Sequence, residues 1–89
     1  MPLNMVGRRL ALEAPPEGQA CPADAVEGDY WRDAYGVWWA FIPRSGVGRL
    51  DSYVVDEMPD RTITVRQVVS VPSSGYIGRL IHGVWHECP

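Results

Sequence analysis

The chain predicts an all-β fold, a small antiparallel sandwich or partly open barrel of about 5–7 strands built around two hairpins, with an extended N-terminal segment. Three observations predict it. From Gly28 onward, runs rich in Val, Ile, Thr, Trp and Tyr alternate with turn signals every ~8–12 residues. Two of those signals, Tyr35-Gly36 and His82-Gly83, lie in the related strings R-D-A-Y-G-V-W and R-L-I-H-G-V-W, each of which reads as a hairpin. No stretch carries a helical apolar period, and Pro15, Pro16, Pro22, Pro43 and Pro72 interrupt what helix there could be.

Taken in order, V-G-R-R-L-A-L-E-A within Met5 to Ala14 reads as a strand. The following P-P-E-G-Q-A-C-P-A-D-A-V-E-G is an extended loop, in which residues 23–27 have length for one helical turn and no more. Residues 1–27 thus form an N-terminal strand and Pro-rich segment, and 28–89 an antiparallel β domain, within a single domain overall. The run from Tyr30 to Pro43 is a hairpin. R-S-G-V-G (44–48) is a loop, L-D-S-Y-V-V-D (50–56) a strand and E-M-P-D (57–60) a turn. T-I-T-V-R-Q-V-V-S-V (62–71) is one long strand stopped by Pro72, and S-S-G leads into a closing hairpin over Tyr76–Cys88. The repeated R-x-x-Y/H-G-V-W pattern reads as hairpin grammar, since such turns select Gly and strands select Val and Trp, with a duplicated unit as the alternative.

Composition is that of a globular domain, 46% hydrophobic and 21% charged. A chain this short buries only roughly 60% of its unfolded surface, so each large side chain in the core counts. The net charge is −3, and all eight basic residues are arginines, scattered over positions 8, 9, 32, 44, 49, 61, 66 and 79. With no basic stripe, binding to nucleic acid is not expected, because neutralising a phosphate backbone takes clustered positive charge. The N-terminus lacks an uninterrupted apolar h-region and no run approaches the length of a membrane span, so a cytoplasmic protein with no membrane contact is expected. In that compartment Cys21 and Cys88 stay reduced.

The stretch G-Y-I-G-R-L-I-H-G-V-W-H-E-C brings two histidines, a glutamate and a cysteine close in sequence, which raises the question of a metal or catalytic site. Turn geometry answers it. With His82-Gly83 as a two-residue primed turn, Ile81 faces Val84, Leu80 faces Trp85, Arg79 faces His86, Gly78 faces Glu87 and Ile77 faces Cys88. His82 then stands at the tip, roughly 13 Å along the strand from His86, whereas zinc–ligand distances are ~2.0–2.3 Å. His86 and Cys88 share a face but lack the further ligands a metal needs, so no metal, cofactor or catalytic residue is predicted. The acids Asp51, Asp56, Glu57 and Asp60 read as solvated charge.

The first hairpin carries a different signal. With Tyr35-Gly36 as its turn, one face holds Trp31, Asp33, Trp38, Ala40 and Ile42, the other Tyr30, Arg32, Val37, Trp39 and Phe41. A type I turn with a Gly bulge, using Asp33, changes those cross-strand partners. Both faces are aromatic, whereas one face of a single-layer sheet ordinarily reads polar. The second face is covered either by residues 1–27, by a second sheet, or by a partner. Trp, Tyr and Arg dominate binding hot spots, and the candidate partner-binding residues are Trp31, Arg32, Trp38, Tyr76, Arg79 and Trp85.

The strings G-D-Y-W (28–31), G-V-W-W (36–39), R-T-I-T-V (61–65) and G-R-L-I-H-G-V-W-H-E-C (78–88) resemble a family of small bacteriophage proteins of uncharacterised role, some of which are labelled "ammonia monooxygenase". The resemblance covers about two thirds of the chain. Family members carry a Trp-His pair before the final G-x-L-x-x-G-V-W, and Tyr76 and Ile77 occupy those positions here. The oxidation that label names needs a redox metal held by several ligands, which this sequence does not supply. The resemblance implies a phage or prophage origin and a small all-β fold. Together with the aromatic face it leads to the expectation of a non-enzymatic protein that binds another protein in the host cytoplasm, such as a component of a host defence complex that it inhibits. A virion structural or decoration component, self-associating through the same face, is the alternative, and a small enzyme is third.

Overall fold

The computed structural model describes residues 4–10, 25–33 and 35–88. These contain nine strands and no helix: β1 (Asn4–Val6), β2 (Tyr30–Arg32), β3 (Trp38–Ile42), β4 (Gly46–Arg49), β5 (Val55–Glu57), β6 (Ile63–Val65), β7 (Val69–Val71), β8 (Tyr76–Ile81) and β9 (Val84–Glu87). They pair antiparallel in three sheets, in the orders β1-β9-β8-β7, β2-β3-β4 and β5-β6. The fold is therefore the all-β, antiparallel, open arrangement that the sequence predicts, and it is not a closed barrel.

The closing hairpin has the predicted register, with Ile81 opposite Val84, Leu80 opposite Trp85, Arg79 opposite His86 and Gly78 opposite Glu87. Its turn has φ of 47° at His82 and 76° at Gly83, the paired positive values of a primed turn. Both turn residues are tied to β6 and its flank. The Gly83 amide donates to the Ile63 carbonyl (2.9 Å) and the His82 amide to Thr64 Oγ1 (3.0 Å). From the other side the Gly7 amide donates to the Gly83 carbonyl (2.7 Å), which fixes β1 along β9. Of the strand predicted over Met5–Ala14, only Met5 and Val6 lie in β1; residues 7–10 hold no strand beyond an isolated parallel bridge between Arg9 and Tyr30, and residues 11–14 lie outside the described set.

Three expectations are corrected. The loop assigned to R-S-G-V-G is largely strand β4, because a turn at Pro43-Arg44 (Ser45 amide to Ile42 carbonyl, 2.9 Å) returns the chain along β3. The strand assigned to L-D-S-Y-V-V-D is interrupted: Leu50 still pairs with Trp38, then a Leu50–Tyr53 turn redirects the chain, and β5 begins at Val55. The single long strand over 62–71 is two. At Arg66-Gln67 the backbone leaves β5 for β8, while Gln67 Oε1 and the Arg66 amide occupy the amide and carbonyl of Val54. A strand that bends between sheets in this way turns a corner of the β structure.

The core is one cluster formed by Tyr30, Ala40, Ile42, Leu50, Ile63, Val65, Val69, Tyr76, Leu80 and Trp85, drawn from all three sheets. Trp85 is fully buried (0% exposed), stacks edge-on against Tyr76 (ring centroids 6.2 Å apart, 72° between planes), and donates its indole N–H to the Gly28 carbonyl at 2.9 Å. That bond gives a buried polar atom the partner it must have. Asp29, buried beside it in sequence, accepts Arg8 Nη2 (2.9 Å) and the Val26 amide (3.0 Å).

Candidate functional site

The register of the β2-β3 hairpin decides which aromatic side chains meet. The structure places Trp31 opposite Trp39 and Arg32 opposite Trp38, one residue away from the register of a Tyr35-Gly36 turn. The cause is Asp33. Its amide bonds the Val37 carbonyl (2.9 Å), its carbonyl accepts the Gly36 amide (3.1 Å), and Gly36 takes φ 83°. This is the type I turn with a Gly bulge that the sequence left open as its alternative. The Asp33 carboxylate completes it, accepting the amides of Tyr35 (2.8 Å) and Val37 (2.9 Å) on Oδ1 and the Trp39 indole N–H (2.8 Å) on Oδ2. Those bonds, led by the Trp39 indole, hold the Asp33 carboxyl below its ordinary range.

A one-residue slip exchanges faces. Trp38 therefore shares a face with Tyr30, Arg32, Ala40 and Ile42 and packs, half-buried, against the core. Arg32 lies over the Trp38 ring at 5.8 Å from the centroid, and Arg9 lies over it at 5.1 Å. Arg9 is delivered by the parallel bridge to Tyr30, secured by the Leu10 amide on the Tyr30 carbonyl (2.9 Å) and the Tyr30 amide on the Arg8 carbonyl (3.0 Å). Arg9 Nη1 also donates to Glu57 Oε2 and to the Arg61 carbonyl (3.0 Å). Arg61 sits with φ 74° at the end of the Met58–Arg61 turn, between β5 and β6. The hydrogen bond and charge of Arg9 hold Glu57 below the ordinary glutamate value, and Arg32 and Arg61 act on it in the same direction. Two guanidiniums, a half-buried indole, the Glu57 carboxylate and the Arg61 carbonyl thus meet from the N-terminal segment, the β2-β3 hairpin and the β5-β6 hairpin.

The opposite face of the same sheet holds a second pairing. Arg49 lies 5.5 Å from the Trp39 ring centroid, and Trp31, Phe41 and Val47 share that face.

Of the six predicted partner-binding residues, the structure brings Arg32 and Trp38 together at accessible surface. Trp31 (1% exposed), Tyr76 (2%) and Trp85 (0%) are buried, which corrects their assignment as contact residues. Tyr76 and Trp85 occupy the inward face of the closing hairpin, and their rings are spent on the core. Arg79 is exposed on the outward face of β8, where it reaches the Arg66 carbonyl (3.4 Å), and it is not part of the Trp38 cluster. Sequence reading missed Arg9, Glu57 and Arg61, which lie far from Trp38 along the chain and are joined to it only by tertiary pairing. The signal for Asp33 was present as an acid two residues before the turn's Tyr-Gly.

Elsewhere, charges are tied up in structural pairs. Asp51 meets Arg49 (3.1 Å), Asp56 meets Arg66 (2.6 Å), and Asp60 takes the hydroxyl (2.6 Å) and amide (3.1 Å) of Thr62. His86 stands opposite Asn4 and Arg79, and His82 is at the turn; Cys88 is a free thiol, and Cys21 lies outside the described residues. Among the described residues no group of three or more His, Cys, Asp or Glu is arranged to hold a metal, and no helix is long and apolar enough to cross a membrane. Comparison with protein-family models, with curated proteins and with solved structures finds no match to this chain.

Proposed function

We propose that this is a small phage protein that works without catalysis, by binding another protein in the cytoplasm of the host cell, and that inhibition of a host defence complex is the form this binding takes. The observation that carries the reading is the accessible pairing of Arg32 and Arg9 with Trp38. Arginine and tryptophan are the side chains most often found to dominate binding energy at protein interfaces. Guanidiniums placed against the indole reduce the freedom it would otherwise lose on association. The phage origin rests on the resemblance of the G-D-Y-W, G-V-W-W, R-T-I-T-V and G-R-L-I-H-G-V-W-H-E-C strings.

The test is affinity capture from host lysate with the whole chain, run beside Trp38→Ala and Arg32→Glu variants verified to be folded. The proposal expects a discrete host protein held by the parent and released by both variants. Recovering no partner, or recovering the chain instead as a component of purified virions, would contradict it.

A further inference from the structure

The eight arginines are unequally partnered. Arg8, Arg9, Arg44, Arg49 and Arg66 each form an ion pair with a carboxylate. Among the described residues, Arg32, Arg61 and Arg79 have no such partner. Two of these three stand beside Arg9, which engages Glu57 by hydrogen bond: Arg32 lies over the same Trp38 ring, and the Arg61 carbonyl accepts Arg9 Nη1 at 3.0 Å. Arg32 uses only its Nε internally, on the Gly36 carbonyl (3.3 Å), which leaves its outer nitrogens as donors. Asp60, next to Arg61, accepts the amide and hydroxyl of Thr62 and forms no ion pair with that arginine. In an acidic chain of net charge −3, Arg32 thus presents a guanidinium without a carboxylate partner beside the half-buried Trp38 that Arg9 also covers.

We infer that the Arg9–Arg32–Arg61 surface is a docking site for an acidic segment of a partner protein, with a carboxylate of that segment seated on the outer nitrogens of Arg32. This rests on the protein-binding reading above and names the chemistry of the partner. Guanidinium forks match carboxylates in geometry as well as charge. Glu57 is the internal counterpart of such a carboxylate, held by the Arg9 guanidinium. Nucleic acid fits less well. A phosphate backbone extends past three arginines along a chain of net charge −3, whereas a short acidic segment can contact them alone.

The geometry sets an unusual expectation for Glu57→Gln. Removing that carboxylate leaves the cations uncompensated, so acidic ligands bind more tightly, although the substitution deletes a native ion pair. Fluorescence anisotropy with the purified chain tests this, using three labelled probes: a decapeptide alternating Glu and Leu, its Lys–Leu counterpart, and a decamer of thymidylate. The Glu–Leu peptide should bind, more weakly as salt rises. Its affinity should fall roughly fivefold or more in Arg32→Glu/Arg61→Glu, rise in Glu57→Gln, and stay unchanged in Arg79→Glu. Single Arg32→Glu serves if the double variant does not fold.

Equal binding of the Lys–Leu peptide, tighter binding of the oligonucleotide, no saturable binding, or indifference to the Arg32 and Glu57 substitutions would each overturn the inference. The two readings fail separately. A lysate partner that Trp38→Ala and Arg32→Glu both release, with no saturable binding of the Glu–Leu peptide, leaves protein binding standing and removes its acidic chemistry. Acidic-peptide binding without any lysate partner does the reverse.

Discussion

Two side chains, Asp33 and Trp85, do more than their sequence positions announce. Asp33 accepts three hydrogen bonds from one hairpin, two from turn amides and one from the Trp39 indole, and so sets which face each neighbouring tryptophan takes. Asp33→Ala should lower the thermal midpoint and shift the fluorescence of Trp38 and Trp39 together; a loss of stability with unchanged tryptophan emission would contradict the role in register. Trp85 fills the centre of the core. Trp85→Ala should cost about 3–5 kcal/mol, a large share of the ~5–15 kcal/mol available to a domain of ordinary stability. Trp85→Phe keeps most of the volume but orphans the Gly28 carbonyl, and should cost about 1–3 kcal/mol. Urea denaturation of the two variants measures both. Equal losses would show that the indole hydrogen bond, and not packing, accounts for the whole effect, and would contradict the packing role.

Among the elements, the closing hairpin was fully legible. A two-residue turn with Gly second and β-branched or aromatic flanks leaves little choice of register, and the structure follows it residue for residue. The first hairpin was legible as an element but not in register, because Tyr35-Gly36 resembles a primed turn, and only the side chain of Asp33 tips the balance to a bulged one. The split of 62–71 left no local mark, since β-branched residues continue through it. It is imposed by Gln67 and Arg66 occupying Val54, a tertiary pairing. The exposed cluster was half legible for the same reason. Arg32 and Trp38 are near in sequence, while Arg9, Glu57 and Arg61 are brought in by strand pairing alone.

The two closing-hairpin and β7-β8 turns also yield a paired prediction. Gly83 and Gly75 share a φ of 76°, but a Cβ at Gly83 would stand 2.7 Å from the Tyr30 hydroxyl, and one at Gly75 would touch nothing within 4 Å. Gly75→Ala should cost only the ~1–2 kcal/mol of left-handed backbone. Gly83→Ala should cost more, because the junction of β1, β6 and the hairpin tip must move; equal losses in chemical denaturation would contradict that close approach.

Over the whole molecule, charge and burial together set a window of pH. Asp33, Asp56, Glu57 and Asp60 have carboxyls held below their ordinary values, by hydrogen bonds in each case. Their contribution is complete above the unfolded carboxylate range, about pH 4, and is lost as pH falls through the lower folded values. Tyr30 and Tyr76 are pushed up by burial. Their contribution is complete below about pH 10 and is lost as pH rises through the higher folded values. The thermal midpoint should therefore fall on both sides of a broad plateau, and a midpoint that rose on acidification below pH 4 would contradict the carboxylate geometry.

Between those limits, the central claim is that the folded chain meets a protein partner through the surface around Arg32 and Trp38. Tyr35, 88% exposed at the tip of the same hairpin, offers the most direct probe of it. A photo-crosslinking residue placed at position 35 should yield one discrete adduct with a host protein in lysate, whereas the same group at Ile77, 46% exposed on the outward face of β8, should yield none. An adduct from position 77 with none from position 35 would contradict the assignment.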